Sequence, residues 1–167
     1  MVTTVKPSVA ILKEIQLLSV FTEAELGQLL RAGASQTFEA HANVVIEGEL
    51  TWGLFLILEG VVGIFKNNKL TSDIYDVGQL REGNFFGEMS LIDDNPRSAT
   101  VRALSDSQLF FISKDSFQAF LNQSSDLKLR FYEACIRTTV GRLRELDDSY
   151  VISQYQLWKT ALLKEAA

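Results

Sequence analysis

The sequence predicts an α+β domain: a small antiparallel β-barrel or sandwich, flanked by N-terminal helices and a long C-terminal helix. Three observations carry this. Apolar residues near the N-terminus fall at helical spacing, and a helix-start signature follows them at Phe21-Thr22-Glu23-Ala24-Glu25-Leu26. Residues 35–112 change texture to short apolar runs separated by turn formers. From Asp126 onward, apolar residues alternate three and four apart, the spacing of a heptad seam.

Taken in order, residues 1–7 read as a loose tail ending at Pro7. Over 8–19, Val9, Ile11, Leu12, Ile15, Leu17 and Leu18 predict a first helix. A second follows to about Gly33, with Thr22 as N-cap, Glu25 closing a capping box and Phe21 stapled onto Leu26. Strands are expected at 36–38, 44–46, 54–58, 60–66, 74–80, 99–103 and 108–112. Asn67-Asn68 reads as a hairpin turn, and His41 sits in a turn of its own. Many short strands at close spacing suit a barrel or a sandwich equally.

Residues 83–103 carry the chemistry: G-N-F-F-G-E-M-S-L-I-D-D-N-P-R-S-A-T-V-R-A. Gly87 can bring its backbone close to a ligand, and Glu88, Met89, Ser90 and Leu91 can form one helical turn behind it. The first amides of such a turn lack internal partners and favour an anion. Asp93, Asp94, Asn95 and Pro96 end the turn as a polar loop. Arg97 then offers a planar fork that matches a phosphate, while Glu88 can accept a hydrogen bond from a sugar hydroxyl. Read singly, Gly87 could serve only a turn, and Arg97 could pair with Asp93 or Asp94 on the surface.

The order of these residues resembles the phosphate-binding cassette of cyclic-nucleotide-binding domains, found in catabolite activator proteins and in the regulatory subunit of protein kinase A. The resemblance rests on Phe86-Gly87-Glu88-Met89-Ser90-Leu91 and Asn95-Pro96-Arg97-Ser98-Ala99-Thr100-Val101. It implies that Glu88 holds a ribose 2′-hydroxyl and Arg97 the cyclic phosphate. Ser98 then helps with phosphate or base, and the backbone near Gly87, Met89, Ser90 and Ala99 completes the ligand-binding set. It also implies a double-stranded β-helix, or jelly roll, over residues 35–112. Gly48 and Gly60 stand at the spacing of the family's second signature. Between them the chain departs from the pattern, with Thr51-Trp52 where a Gly-Asp pair is usual and Asn43 where a turn Gly is usual. Those departures bear on the shape of the barrel's far loops.

Beyond the strands, Ser113 caps a helix to about Asn122, with Ile112 stapled to Phe117. After a break at Gln123-Ser124-Ser125, a long helix is expected to about Tyr150. Its seam is Leu129, Tyr132, Ile136, Thr139, Leu143, Leu146 and Tyr150. The seam either packs on the chain's own barrel or joins two copies, as this helix does in the activator proteins. Asp147-Asp148-Ser149 can interrupt it, and Val151, Tyr155, Leu157, Trp158, Leu162 and Leu163 suggest a last helix. The expected division is a tail at 1–7, a cyclic-nucleotide-binding domain at 8–150 (helices 8–33, barrel 35–112, helices 113–150) and a helical extension at 151–167.

Composition narrows the function. The net charge is −5, which argues against a nucleic-acid surface. One cysteine, Cys135, permits no intrachain disulfide and suits a reducing, cytoplasmic setting. One cysteine and one histidine build no ordinary zinc site. The first residues lack a signal peptide, no apolar run is long enough to span a bilayer, and Met1 reads as a natural start. Ser90 lacks a nucleophile elbow, Glu88 has no second carboxylate for glycoside hydrolysis, and Asp93-Asp94 lacks calcium-loop spacing. Arg137, Arg142 and Arg144 on the long helix read as solvated charges that could face a base or a partner. Trp52 and Trp158 read as core or interface residues.

The expectation is therefore a sensor of a cyclic mononucleotide, with cyclic AMP favoured over cyclic GMP. It has no catalysis and no cofactor, and it signals through its C-terminal helices to a partner protein, as a homodimer. A transcription factor is disfavoured, because about 20 residues after the long helix leave no room for a DNA-reading helix pair. The alternative is a scaffolding protein of the same fold that no longer binds ligand.

Overall fold

A computed structural model describes residues 5–68, 70–71 and 73–165; the first four residues of the expected tail and residues 166–167 lie outside the described residues. The chain opens with α1, Val9–Glu14, where the Ser8 hydroxyl accepts from the Ile11 amide. This helix is half the expected length. Ile15, Leu17 and Leu18 are all fully buried, which one helical stripe cannot do for neighbouring residues, so turns carry the chain from 15 to 20. α2, Glu23–Ala32, starts on the expected capping box of Thr22 and Glu25.

Eight strands follow: β1 (Ala34–Phe38), β2 (Asn43–Val45), β3 (Gly53–Glu59), β4 (Val61–Asn67), β5 (Ile74–Arg81), β6 (Phe85–Phe86), β7 (Thr100–Ala103) and β8 (Ser107–Ser113). They pair as two antiparallel four-stranded sheets, ordered β1-β8-β3-β6 and β2-β7-β4-β5, so the small barrel expected is not a closed one among the described residues. Strand β3 explains the layering. Leu54, Leu56 and Leu58 pack among the helices, while Phe55 and Ile57 pack toward the second sheet with Val62, Val101 and Leu109. Successive side chains of a strand point to opposite faces, so a strand buried on both reads as an unbroken apolar run. Two further expectations change. The β4–β5 connection spans 68–73 and not Asn67-Asn68 alone, because Asn67 still pairs with Ile74. The left-handed residue of the turn before β2 is His41 (φ 72°), and Asn43 is in the strand.

Between β6 and β7 lies the four-residue α3, Met89–Ile92. After β8, Ser113 caps α4, Lys114–Leu121, as expected. Phe117, Phe120 and Leu121 join the same buried cluster as Leu91, whereas Ile92 is exposed. α5 then runs unbroken over 41 residues, Ser125–Glu165. The interruption expected at Asp147-Asp148-Ser149 is absent. These residues face solvent, where their low helix propensity costs only a few tenths of a kcal/mol each, and the Ser149 hydroxyl donates back to the Glu145 carbonyl (2.8 Å). Leu127, Phe131, Ala134 and Cys135 bury one face of α5 against the domain, and residues 139–162 are exposed throughout. Trp52 and Trp158 are both exposed, so neither is a core residue.

Arg130 fixes the root of α5. Its guanidinium donates to both Glu25 oxygens (2.7 and 3.0 Å), to the Val20 carbonyl (2.7 Å) and to Asp126 (2.8 Å). The Arg130 bonds and the Thr22 amide hold Glu25 down at a pKa of about 2, against 4.5 for the free group. A depressed carboxylate stabilises the fold above its unfolded pKa and loses that contribution as pH falls. Glu25→Gln keeps the capping geometry but removes the charge. It should destabilise the fold by on the order of 1 kcal/mol at pH 7. The gap to the parent should close between pH 4.5 and about 2, as followed by thermal unfolding.

Candidate functional site

The turn after β6 is shaped by one glycine. Gly87 has φ 88°, and a Cβ built on it would lie 2.4 Å from the Gly53 carbonyl oxygen and 2.6 Å from Arg97 Nη1. Only glycine fits this backbone at this approach. Ser90, behind it, accepts from the Gly53 amide (3.1 Å) and donates to the Gly87 carbonyl (2.7 Å). Its hydroxyl thus ties α3 to the start of β3.

Arg97 is only 8% exposed, yet it has no carboxylate within ion-pair distance among the described residues. Nε donates to the Thr51 hydroxyl (3.1 Å) and Nη2 to the Gly53 carbonyl (3.3 Å), with the group over the Phe55 ring. Burial pushes its pKa down, and the charges of Glu88 and Glu49 oppose that. The surface pairing with Asp93 or Asp94 is excluded. Asp94 pairs with Lys114 (2.8 Å), and Asp93 accepts from Asn95. The site thus holds a cation out of water with neutral oxygens as its contacts, which favours an incoming anion.

Glu88 is also only 8% exposed, and its partner comes from 54 residues away. Arg142 of α5 forms an ion pair with it, donates to the Phe85 carbonyl (3.2 Å) and lies over the Phe85 ring. Arg137 and Arg144 make no such contact and are exposed. Gly87, Glu88, Met89, Ser90, Arg97, Ser98 and Ala99 all line one cavity of about 340 Å³, together with Arg142 and apolar residues of β2, β4 and β7. The amides of Glu88, Ser98 and Ala99 donate to no protein acceptor among the described residues. A volume of this order suits a small ligand, not a macromolecule.

A family model of the cyclic nucleotide-binding domain matches residues 35–124. The chain belongs to the cyclic nucleotide-binding domain family. A regulatory subunit of cAMP-dependent protein kinase from Yarrowia lipolytica is 34% identical over 115 residues, covering 69% of this chain and 30% of the relative. The chain thus spans about a third or less of the curated relatives it matches. A solved cyclic nucleotide-binding domain from Methylobacillus flagellatus is 25% identical, with a TM-score of 0.71 over 82% of this chain and 80% of its own. The regulatory domain of Toxoplasma gondii PKA, crystallised with cAMP, is also 25% identical, with a TM-score of 0.66 over 76% and 48%.

Two residues that hold the cavity's charged side chains escaped the sequence reading. Thr51 was expected to matter for distant loops, but its hydroxyl holds Arg97 directly. Nothing in its neighbourhood signals that role. Arg142 was one of three arginines on the long helix, and helical phase alone separates it from the others. It lies on the side of α5 that also carries Phe131, Cys135 and Thr138, eleven, seven and four residues away at near-helical multiples.

Gly87→Ala and Gly48→Ala make a matched pair. Both glycines have φ near 88°, but nothing lies within 4 Å of a Cβ at Gly48. Gly48→Ala should cost only the backbone strain, about 1 kcal/mol. Gly87→Ala should cost about 1–3 kcal/mol more, as the clash with Gly53 and Arg97 is added. Denaturant unfolding of the two variants checks the difference.

Proposed function

We propose that this domain is a sensor of a cyclic mononucleotide with no catalysis and no cofactor of its own. The observation that carries the reading is Arg97: a buried guanidinium with only neutral contacts, opening on a cavity of nucleotide size. Arg97 would take the cyclic phosphate, aided by the free amides of Glu88, Ser98 and Ala99, with Gly87, Met89 and Ser90 forming the turn behind it. Glu88 would accept from the ribose 2′-hydroxyl. Cyclic AMP is favoured over cyclic GMP: Ser98 beside the arginine reads as intermediate between the two, and relatives carry cAMP in their names. No group of three or more potential metal ligands is found among the described residues, and no described helix is long and apolar enough to cross a membrane.

Output would run through α5 to a partner protein, for which the kinase regulatory subunits among the relatives suggest a kinase. Arg142 supports this route, because a ribose hydroxyl at Glu88 would compete with it. A ligand can shift α5 only by its differential affinity for the two arrangements. Two copies would pair through the exposed seam of α5, where Leu129, Ile136 and Leu143 are each more than half exposed. With net charge −5, no DNA target is proposed. One observation favours the rival reading, a scaffold that no longer binds ligand: Glu88 already has a partner.

Calorimetric titration with cyclic AMP and cyclic GMP separates these. Binding of cyclic AMP, weakened by about 2–5 kcal/mol in Arg97→Ala and also weakened in Arg97→Lys, is the expected result. No heat with either nucleotide would leave the scaffold reading. Hydrogen exchange should change at 83–103 and along 125–146 on binding, and changes confined to the cavity would remove α5 from the output.

A further inference from the structure

The seam and the cavity share one side chain. With Leu129, Ile136, Leu143, Tyr150 and Leu157 at a, and Tyr132 and Leu146 at d, Lys128 and Arg142 fall at g, and Glu133 and Asp147 at e. In a parallel pair of helices, each g residue meets the e residue five positions on in the other chain. Lys128 would then face Glu133 of a second copy, and Arg142 would face Asp147. In an antiparallel pair g meets g and e meets e, and since no g position carries a carboxylate, neither cation would meet an opposite charge. The charges therefore favour one occupant of this face, a second copy running parallel. The a residues are exposed over their whole length, as an unpartnered seam requires.

Arg142 sits where the two faces of α5 meet. Its side chain is 42% exposed while it holds Glu88. We infer that Arg142 is shared between Glu88 of its own chain and Asp147 of a second copy, so that pairing of two chains and release of Glu88 favour each other. The inference rests on the paired-helix reading above. Its sign follows from the geometry: anything that occupies or neutralises Glu88 frees Arg142 for the second copy. By linkage, pairing leaves Glu88 free for a ligand hydroxyl, and the two effects are equal in free energy.

The test needs no nucleotide. Sedimentation equilibrium of the full chain gives dimer constants for the parent, Glu88→Gln, Asp147→Asn and the double variant. Glu88→Gln should tighten pairing about two- to fivefold, the range for an exposed ion pair, and Asp147→Asn should weaken it by a similar factor. In the Asp147→Asn background, Glu88→Gln should have no effect. Independent effects of the two substitutions, or a chain that stays monomeric at several hundred micromolar, would overturn the inference. Cyclic AMP added to the parent should act like Glu88→Gln. If calorimetry shows no bound nucleotide while the substitution cycle holds, the nucleotide reading fails and the shared arginine stands.

Discussion

A guanidinium kept almost out of water sets the terms for its surroundings. Arg97 needs acceptors, and the nearest are neutral: the Thr51 hydroxyl and the Gly53 carbonyl. Both come from the segment entering β3, so that segment must run beside the turn at Gly87. The turn can approach only because Gly87 has no side chain, and Ser90 bonds it to Gly53 from the other side. Three stretches of chain are thereby held by one cation and the small residues around it. The same arrangement leaves the charge without a contact counter-ion, so the folded site retains an electrostatic demand that an anion would meet.

The cation would be of little use without the sheets behind it. β3 is buried on both sides and therefore belongs to two cores, one with the helices and one with the second sheet. Leu91 of α3 shares the first of these clusters with Phe117, Leu127 and Phe131, so a displacement of α3 would be felt there. The cavity thus touches α5 twice, through packing by way of α4 and through charge at Glu88. These routes differ in kind. Packing transmits a shift over short range whatever the salt, whereas the half-exposed ion pair weakens as ionic strength rises.

Much of this was legible along the chain where the interactions are local. Capping at Thr22 and Ser113 and the seven expected strand runs depend on neighbours within a few positions; the structure has both caps and a strand at each run with shifted ends, and it brings Gly87 to Ser90 and Arg97 to Ala99 to one cavity. What was missed depends on distance. Thr51 and Arg142 lie 46 and 54 residues from their partners; no local pattern marks Thr51, and only helical phase marks Arg142. β6 was missed because two phenylalanines are too short a run to declare a strand; pairing with β3 makes it one. The first helix was overextended because buried residues at 15, 17 and 18 mimic helical spacing in part. The last was cut short because two aspartates and a serine look like a stop when their exposure is unknown.

Among the described residues, the buried side chains of α5 all come before Arg142. The 23 residues beyond it extend about 35 Å at the usual rise per residue. A rigid rod held at one end magnifies rotation in proportion to its length. Tilting the root of α5 by about 5°, less than the scatter tolerated in helix packing angles, would swing the far end by about 3 Å. Movements too small to change the packing around Phe131 would therefore arrive at Trp158 as displacements of about 2 Å. The chain holds its ligand-sized cavity at the pivot and its bulky aromatic side chains, Tyr155 and Trp158, at the pointer.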